Sequence, residues 1–232
     1  MQNDSDGDPS GAIDRQRLLL VGAGPGLGSA IARRFGGGGF RVTLVGRDRA
    51  ALDALAGDLA DTGAAIDTIA MDVGDAEGLR ERMSALYGTP GAPGLIVYNA
   101  VMGAPDQLLS SSAAHLHDAY AVDVIGAIVV AQVAAPAMRA AGFGNILFTG
   151  GGFADHPIAA LATVSLDKAA LRSAATMLGT DLAPDGIRVA TLTIAGQIVA
   201  GTALDPERIA ERYWEVVHTD GPWPAEFRFV GE

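Results

Sequence analysis

The feature that most constrains the fold is a glycine-rich turn, residues 22–28, set between an apolar run and a helical pattern. The run before it, residues 17–21, is typical of a buried strand. Apolar residues recur at helical spacing after the turn, and a β-rich run follows at residues 41–45. Residues 17–46 therefore predict a strand–helix–strand unit of about 30 residues, in which the two strands run parallel.

The same alternation of strands and helices continues to the end of the chain. Apolar strands that alternate with helices predict an α/β domain, a doubly wound parallel sheet with helices on both faces and right-handed crossovers, the Rossmann fold. We expect a flexible acidic tail at residues 1–15 and one domain at residues 16–232. The later strands are predicted at 65–71, 95–99, 145–149 and 187–194, with a small one at 226–230, and the later helices at 111–140, 161–182 and 206–217.

Charge and composition limit the classes of partner. The net charge of -11 repels nucleic-acid phosphates and anionic lipids, and no cluster of Lys and Arg offsets it. No cysteine is present, which excludes disulfides, thiolate nucleophiles and cysteine-based metal sites. The polar N-terminal segment does not look like a signal peptide, and we find no apolar run of the roughly 18 residues that span a membrane. We expect a cytoplasmic protein that binds neither nucleic acid nor membrane.

The glycine-rich turn is suited to binding phosphate. Glycine permits a tight turn and a close approach of the backbone to a pyrophosphate, and the N-terminus of the next helix adds N–H donors and a positive dipole. The pattern predicts a bound nucleotide, and the alternative is a flexible turn without a ligand. The residues of the predicted phosphate site are Gly22, Gly24, Gly26, Leu27 and Gly28.

Several ordered motifs resemble the short-chain dehydrogenase/reductase family over residues 16–202. The three residues between Gly22 and Gly26 match its glycine spacing. The resemblance implies that Asp72 and Val73 contact the adenine of a dinucleotide, that Asn99 and Ala100 lie in the segment after the fourth strand, and that Ile198 follows the turn that holds the nicotinamide. Val101 departs from the pattern, because the family has glycine there.

Arg47 ends the second strand, where folds of this type meet the adenosine ribose. A carboxylate at this place would accept a hydrogen bond from a free 2′-hydroxyl, whereas an arginine pairs with a 2′-phosphate. Arg47 therefore favours NADP(H) as the cofactor over NAD(H). The alternative is that Asp48 neutralises Arg47 in solvent at the start of the next helix.

The resemblance also locates the expected catalytic residues. The family's Lys-Ala-Ala-Leu run matches Lys168 and the three residues after it. The tyrosine that donates a proton in the family lies four residues before this lysine, where this chain has Val164, which has no proton to donate. The family's serine falls at Gly150 or Gly151, and the asparagine of its proton relay aligns with Asp123.

Three functions remain open from the sequence. The first is an NADP(H)-dependent oxidoreductase that acts on a small, apolar carbonyl or enone metabolite, with the acid role moved to Ser165, Thr149, His156 or a water held by Lys168. The second is non-redox chemistry such as dehydration, isomerisation or cyclisation, with Asp123, His156 or Asp155 as acid or base. The third is binding without turnover. The candidate catalytic residues are Lys168, Ser165, Asp123 and His156.

Two of these candidates have structural alternatives. The Ser165 hydroxyl could be satisfied within its helix, and His156 could be a solvated loop residue. His115 and His117 form a His-x-His pair without a recognisable third ligand, so we predict no metal site.

Two helical stretches, residues 121–137 and 169–182, are apolar around much of their circumference, which is more than one sheet-facing stripe requires. The resemblance implies that these helices form a subunit interface. We therefore expect a homodimer or homotetramer.

Overall fold

The computed structural model describes residues 12–231, which form one seven-stranded parallel sheet in the order β3-β2-β1-β4-β5-β6-β7. Helices cover both faces, so the predicted doubly wound Rossmann fold is confirmed. The strands are β1 (Ile13–Val21), β2 (Arg41–Gly46), β3 (Ile66–Ala70), β4 (Ala92–Tyr98), β5 (Gly144–Gly151), β6 (Ile187–Ile194) and β7 (Glu226–Phe229). The helices are α1 (Leu27–Gly37), α2 (Arg49–Asp58), α3 (Ala76–Tyr87), α4 (Ala113–Tyr120), α5 (Gly126–Ala141), α6 (Ala162–Leu182) and α7 (Pro206–Val217).

Strand β1 begins at Ile13, four residues before the predicted start. The Ile13 side chain is buried, and the backbone of Ile13 pairs with that of Ala92 in β4. This pairing extends the sheet beyond the apolar run that the sequence shows. The predicted tail of residues 1–15 is therefore too long at its C-terminal end. Residues 1–11 lie outside the described part of the chain.

The order of the strands reverses between β1 and β4, and the carboxyl ends of these strands open a crevice there. Such a switch point is where ligands bind in open parallel sheets. Apolar residues pack on both faces of the sheet, with α3, α5 and α6 on one side and α1, α2 and α7 on the other. The two cores hold the crevice at a fixed edge of the sheet.

Helices α4 and α5 join through a π-helical turn, Ala121–Ile125, into one helical segment, Ala113–Ala141. By length and composition this segment could cross a membrane, so our finding of no such apolar run is wrong. Of the most apolar 18-residue stretch of this segment, 61% is buried inside the protein. Packing against the sheet and the neighbouring helices accounts for much of this apolar composition.

The π-helical turn is held by Tyr98 at the end of β4. Its buried hydroxyl donates to the carbonyl of Val122, and burial raises the pKa of Tyr98, which keeps the hydroxyl protonated. A Cβ on Gly126 would lie 2.3 Å from this hydroxyl oxygen and 2.9 Å from the carbonyl oxygen of Val73. Only glycine at position 126 lets α5 approach the strand end so closely, and this approach fixes the position of Asp123 within the turn.

Candidate active site

The glycine-rich turn lies directly against the end of β4. Gly22 has a φ of 84°, and a Cβ at this position would lie 2.3 Å from the backbone nitrogen of Ala100. The backbone N–H groups of Gly22 and Ala23 both donate to the carbonyl of Val45, at 2.9 Å. Asn99 donates from Nδ2 to the carbonyl of Gly22 at 3.0 Å. The turn is therefore fixed by β2 on one side and β4 on the other.

A groove of about 270 Å³ runs along the switch point above this turn. It contains seven of the predicted cofactor residues, namely Gly22, Gly24, Arg47, Asp72, Val73, Asn99 and Ala100. Val101 and Met102 also line it, so the residue that departs from the family pattern lies on the wall of the groove.

The other predicted cofactor residues lie elsewhere. Gly26 is the N-cap of α1, and Leu27 and Gly28 are buried in the first turn of that helix, behind the groove. Ile198 is exposed in the loop after β6, and Lys168 lies in α6. Among these residues, only those of the helix N-terminus, Gly26–Gly28, continue directly from the glycine-rich turn.

Arg47 is exposed where the groove meets the end of β2. The carboxylate of Asp48 accepts a hydrogen bond from the Ala51 N–H at 3.1 Å and caps α2. Arg49, two residues beyond Arg47, donates to the Thr68 hydroxyl at 2.7 Å and pairs with Asp53. Asp48 therefore acts as a helix cap, and Arg47 is the arginine that borders the groove.

A chain of buried hydrogen bonds connects three elements beneath the groove. The Tyr213 hydroxyl of α7 lies 2.7 Å from the Thr149 hydroxyl of β5, which donates to Asn99 Oδ1 at 3.0 Å. Because the single hydrogen of Thr149 points to Asn99, Tyr213 is the donor to Thr149. The Thr149 hydroxyl is thus used in positioning Asn99 and the glycine-rich turn, and sequence reasoning gave no signal for Tyr213.

Lys168 is the only lysine among the 232 residues, and it is 7% exposed. Its Nζ donates to the carbonyl of Thr149 at 2.7 Å. Burial lowers the pKa of the Lys168 ammonium, while the nearby carboxylates of Asp123 and Asp167 act in the opposite direction. All the other residues in the Lys and Arg group are arginines, and arginine keeps its proton in proteins.

Two positions beside Lys168 lack a proton donor. Val164 lies one helical turn before Lys168 on α6 and is buried. A Cβ built on Gly151 would meet Lys168 Cγ at 3.5 Å, an ordinary contact, whereas one on Gly150 would lie 2.5 Å from the Thr193 hydroxyl. Gly151 is therefore the position with room for a side chain next to Lys168, and Gly150 is a packing glycine.

Two carboxylic acids lie near Lys168. Asp123 is 1% exposed and accepts a hydrogen bond from the Met102 N–H at 2.6 Å, and burial raises its pKa to about 6. Asp167 is 3% exposed, and burial, together with the charge of Asp123, raises its pKa to about 7. The sequence pointed to Asp123 but not to Asp167.

The remaining candidates are either bonded to other groups or exposed to solvent. The Ser165 hydroxyl donates to the Leu161 carbonyl at 2.8 Å and accepts from the Ile158 N–H at 3.1 Å, so it is satisfied by backbone groups. His156 is exposed in the loop after β5. Asp155 pairs with Arg228 and Arg172, which hold its pKa at about 2. The structure buries Asp123 close enough to Lys168 for their charges to interact, but it leaves His156 on the surface.

His115 and His117 do not act together. His115 Nε2 lies 3.0 Å from Asp106, whereas His117 is exposed beside Asp118. Asp106 also accepts hydrogen bonds from the backbone N–H groups of Ala162 and Thr163, so it caps α6 from a distant loop. Within residues 12–231, no group of three or more potential ligands is arranged to hold a metal ion.

Comparison with known proteins places these residues in a family. A family model described as short chain dehydrogenase matches residues 16–209, which include the glycine-rich turn, Asp123 and Lys168. The chain belongs to the short-chain dehydrogenase family. An uncharacterized oxidoreductase from Mycobacterium tuberculosis (strain CDC 1551 / Oshkosh) is 32% identical over 197 residues, which cover 83% of this chain and 73% of the relative.

Solved structures of short-chain dehydrogenases and related reductases have the same fold. A metagenomic short-chain oxidoreductase in complex with NADP superposes with a TM-score of 0.82 at 24% identity, over 94% of this chain and 99% of that one. The L-sorbose reductase of Gluconobacter frateurii, complexed with NADPH and L-sorbose, has a TM-score of 0.75 at 26% identity, over 83% of this chain and 73% of that one.

The buried chain from Tyr213 predicts a local effect on the glycine-rich turn. Tyr213→Phe removes the donor to Thr149 and should lower the free energy of unfolding by about 1 kcal/mol. The looser Thr149 then holds Asn99 less firmly, so amide hydrogen exchange at Gly22 and Asn99 should become faster.

The matched control is Tyr87→Phe, which removes another buried hydroxyl, the donor to the Pro93 carbonyl at the start of β4. It should cost similar stability without changing exchange in the turn. Equal exchange rates at Gly22 in the two variants would show that the Tyr213 chain does not position the turn.

Proposed function

We propose that the protein is an NADP(H)-dependent oxidoreductase that reduces a small, apolar carbonyl or enone compound, with Lys168 in place of the usual proton donor. The observation that supports the cofactor assignment is the position of Arg47 on the wall of the switch-point groove, next to the end of β2. The carboxylate next to it, Asp48, caps α2. The NADP and NADPH complexes among the similar structures support the same assignment.

The residues of the groove fit a dinucleotide phosphate. The backbone of the glycine-rich turn and the N-terminus of α1 would bind the pyrophosphate, and Arg47 would pair with the 2′-phosphate. Asp72 and Val73 would border the adenine, Asn99 and Ala100 would border the ribose, and Lys168 would bind ribose hydroxyls. When bound, NADPH supplies the hydride.

Lys168 is the best placed acid for the substrate oxygen. One of its three N–H groups is used on the Thr149 carbonyl, which leaves two for other partners. Burial lowers the pKa of the ammonium, so it gives up a proton more readily than an exposed lysine does. Val164 and Gly151 have no proton to offer, and the Ser165 hydroxyl is bonded to the backbone.

Several apolar side chains also lie near Lys168. Val164 is next to it on α6, Val101 and Met102 line the adjoining groove, and Phe153 lies 3.5 Å from the place of a Cβ on Gly151. A substrate carbonyl held here would have its apolar substituents against these side chains. This composition supports an apolar substrate.

We further propose that the chain forms a homodimer or homotetramer through the outer face of α6. Most apolar residues of α5 are buried within the chain, but Leu166 and Met177 of α6 are 55% and 66% exposed. A groove of about 470 Å³ beside Leu166 is lined mainly by apolar atoms and includes Leu108 and Ile158. Sedimentation of the chain at the mass of a monomer would contradict this arrangement.

Cofactor choice is tested by titration with NADPH and NADH, followed by nicotinamide fluorescence. Arg47→Asp removes the partner of the 2′-phosphate and adds a like charge, so NADPH affinity should fall by about 10-fold or more, because a charge-assisted hydrogen bond contributes about 1.5–3 kcal/mol. NADH affinity should be kept or should rise, because the new carboxylate can accept a hydrogen bond from the free 2′-hydroxyl. Arg49→Asp, at the neighbouring cation that pairs with Thr68 and Asp53, is the control and should leave the preference intact.

Two results of this titration would contradict the proposal. Equal loss of NADPH and NADH affinity in Arg47→Asp would place the arginine outside the 2′-phosphate site. Absence of binding of both dinucleotides to the unchanged protein would overturn the oxidoreductase proposal.

The acid role is tested by NADPH consumption with a panel of aldehydes, ketones, enones and quinones. Lys168→Gln should lower the rate by about 10²-fold or more, the range of general acid catalysis. Ser165→Ala removes a hydroxyl that donates its hydrogen bond to the Leu161 carbonyl, so this change should leave the rate nearly unchanged.

The reverse result, a larger loss for Ser165→Ala than for Lys168→Gln, would assign the acid role to Ser165. Tight NADPH binding with no consumption across the panel would favour binding without turnover.

A further inference from the structure

Four charged side chains, Asp155, Arg172, Glu226 and Arg228, form a closed ring of ion pairs beside the loop after β5. Asp155 of this loop pairs with Arg172 of α6 at 2.7 Å and with Arg228 of β7 at 2.6 Å. Glu226 of β7 lies 3.5 Å from each of the same two arginines. The ion-pair ring therefore contains two cations and two anions, and it joins the loop to a helix and to the last strand of the sheet.

The ion-pair ring is partly shielded from solvent. Its four side chains are between 22% and 44% exposed, and the Nε and Nη2 atoms of Arg172 are inaccessible. A single exposed ion pair contributes little to stability, whereas a network with charge-assisted hydrogen bonds holds its members more firmly. Hydrogen bonds from Arg228 and Arg172 hold the pKa of Asp155 at about 2, so this carboxylate stays ionised at neutral pH.

The strands β5 and β6 set the position of Glu226 in this ring. The Thr193 hydroxyl of β6 donates to Glu226 Oε1 at 2.5 Å, and Thr193 pairs in the sheet with Gly150 of β5. A Cβ on Gly150 would lie 2.5 Å from the Thr193 hydroxyl oxygen. Glycine at position 150 therefore leaves room for the hydroxyl that orients Glu226. The next residue along β5, Gly151, is the one beside Lys168.

The loop that the ion-pair ring holds brings Phe153 next to Lys168. Phe153 Cδ2 and Lys168 Cγ each lie 3.5 Å from the place of a Cβ on Gly151. The Asp155 N–H donates to the Gly152 carbonyl at 3.0 Å, which closes a tight 3₁₀ turn around Phe153. Because Asp155 and Phe153 belong to the same turn, a contact that fixes the Asp155 carboxylate also limits the movement of the Phe153 ring.

We propose that the ion-pair ring fixes Phe153 beside Lys168 and that Phe153, held in this way, selects the apolar substituent of the carbonyl substrate. The inference rests on the proposed reduction at Lys168. Phe153 is the residue that contacts the substrate. Asp155, Glu226 and Arg228 are positioning residues that act through the loop, so strand β7 contributes to substrate choice from the edge of the sheet.

A fixed aromatic ring discriminates between substrates better than a mobile one. An apolar wall favours a substrate in proportion to the apolar area that it covers. A wall that must first be ordered loses part of this gain to conformational entropy, whereas a wall already in place does not. The ion-pair ring supplies this order to Phe153 before a substrate arrives.

The first test measures amide hydrogen exchange in the cofactor-free protein. The amides of Asp155 and His156 both donate to the Gly152 carbonyl, so their exchange reports how often the turn opens. Arg228→Gln removes one cation of the ring and should speed exchange at both amides by about 5-fold or more. Arg228→Lys keeps a cation that can pair with Asp155 and should restore most of the protection.

The matched control is Arg139→Gln, at an arginine that pairs with two other carboxylates, Asp181 and Asp185, near the C-terminal end of α6. It should leave exchange at Asp155 unchanged. Unchanged exchange in Arg228→Gln, or an equal rise in both variants, would overturn the hold of the ring on the loop. Because no cofactor is present, these results are independent of NADPH binding. A protein that shows the expected exchange but binds no NADPH would lose the role in substrate choice alone.

The second test asks whether the ring acts through Phe153. It compares the compound reduced fastest in the carbonyl panel with an analogue whose apolar substituent is cut back to methyl. Phe153→Ala should raise the KM of the full compound by about 10-fold and leave that of the analogue nearly unchanged. Arg228→Gln should raise the KM of the full compound by about 3-fold when Phe153 is present.

The double variant decides whether the two effects share one cause. Arg228→Gln should change nothing further in the Phe153→Ala protein, because the side chain that the ring positions is gone. Effects that simply multiply in the double variant would contradict action through Phe153. An equal rise in KM for the full compound and its methyl analogue in Phe153→Ala would contradict the role of Phe153 in selecting the apolar substituent.

Discussion

The hydrogen bond from the Lys168 ammonium to the Thr149 carbonyl is the interaction on which the site depends. A buried cation requires hydrogen-bond acceptors and nearby negative charge, and these come from Thr149, Asp123 and Asp167. The hydroxyl of the same threonine connects to Asn99 and Tyr213. One strand residue thus links the lysine to the turn that would bind the cofactor phosphates.

The side chains around Lys168 differ in whether they can carry a proton. Val164 and Gly151 offer no proton next to Lys168, and burial raises the pKa of the two acids near it, Asp123 and Asp167. The close approach of Gly126 to Tyr98 fixes the π-helical turn that carries Asp123. The π-helical turn therefore holds Asp123 at a defined place in the fold.

Local sequence patterns predicted most of the fold, because apolar strands, amphipathic helices and a glycine-rich turn have clear periodicities. The same patterns located the groove residues, including Arg47. They missed the start of β1 at Ile13, since the intervening residues are polar. They also missed Asp167, Tyr213 and the capping of α6 by Asp106, because these roles arise from contacts between segments distant in the sequence. Periodicity contains no information on such contacts.

The ionisation of Lys168 tests the central claim most directly. Because the chain has one lysine, labelling lysine with ¹³C at Cε gives a single side-chain signal that needs no assignment. Its pH titration reports the pKa of the proposed acid, and NADPH can be added to the same sample. The account predicts a midpoint below the value of about 10.4 for an exposed lysine, and a change of the signal when NADPH binds. An ordinary midpoint and a signal unaffected by NADPH would contradict it.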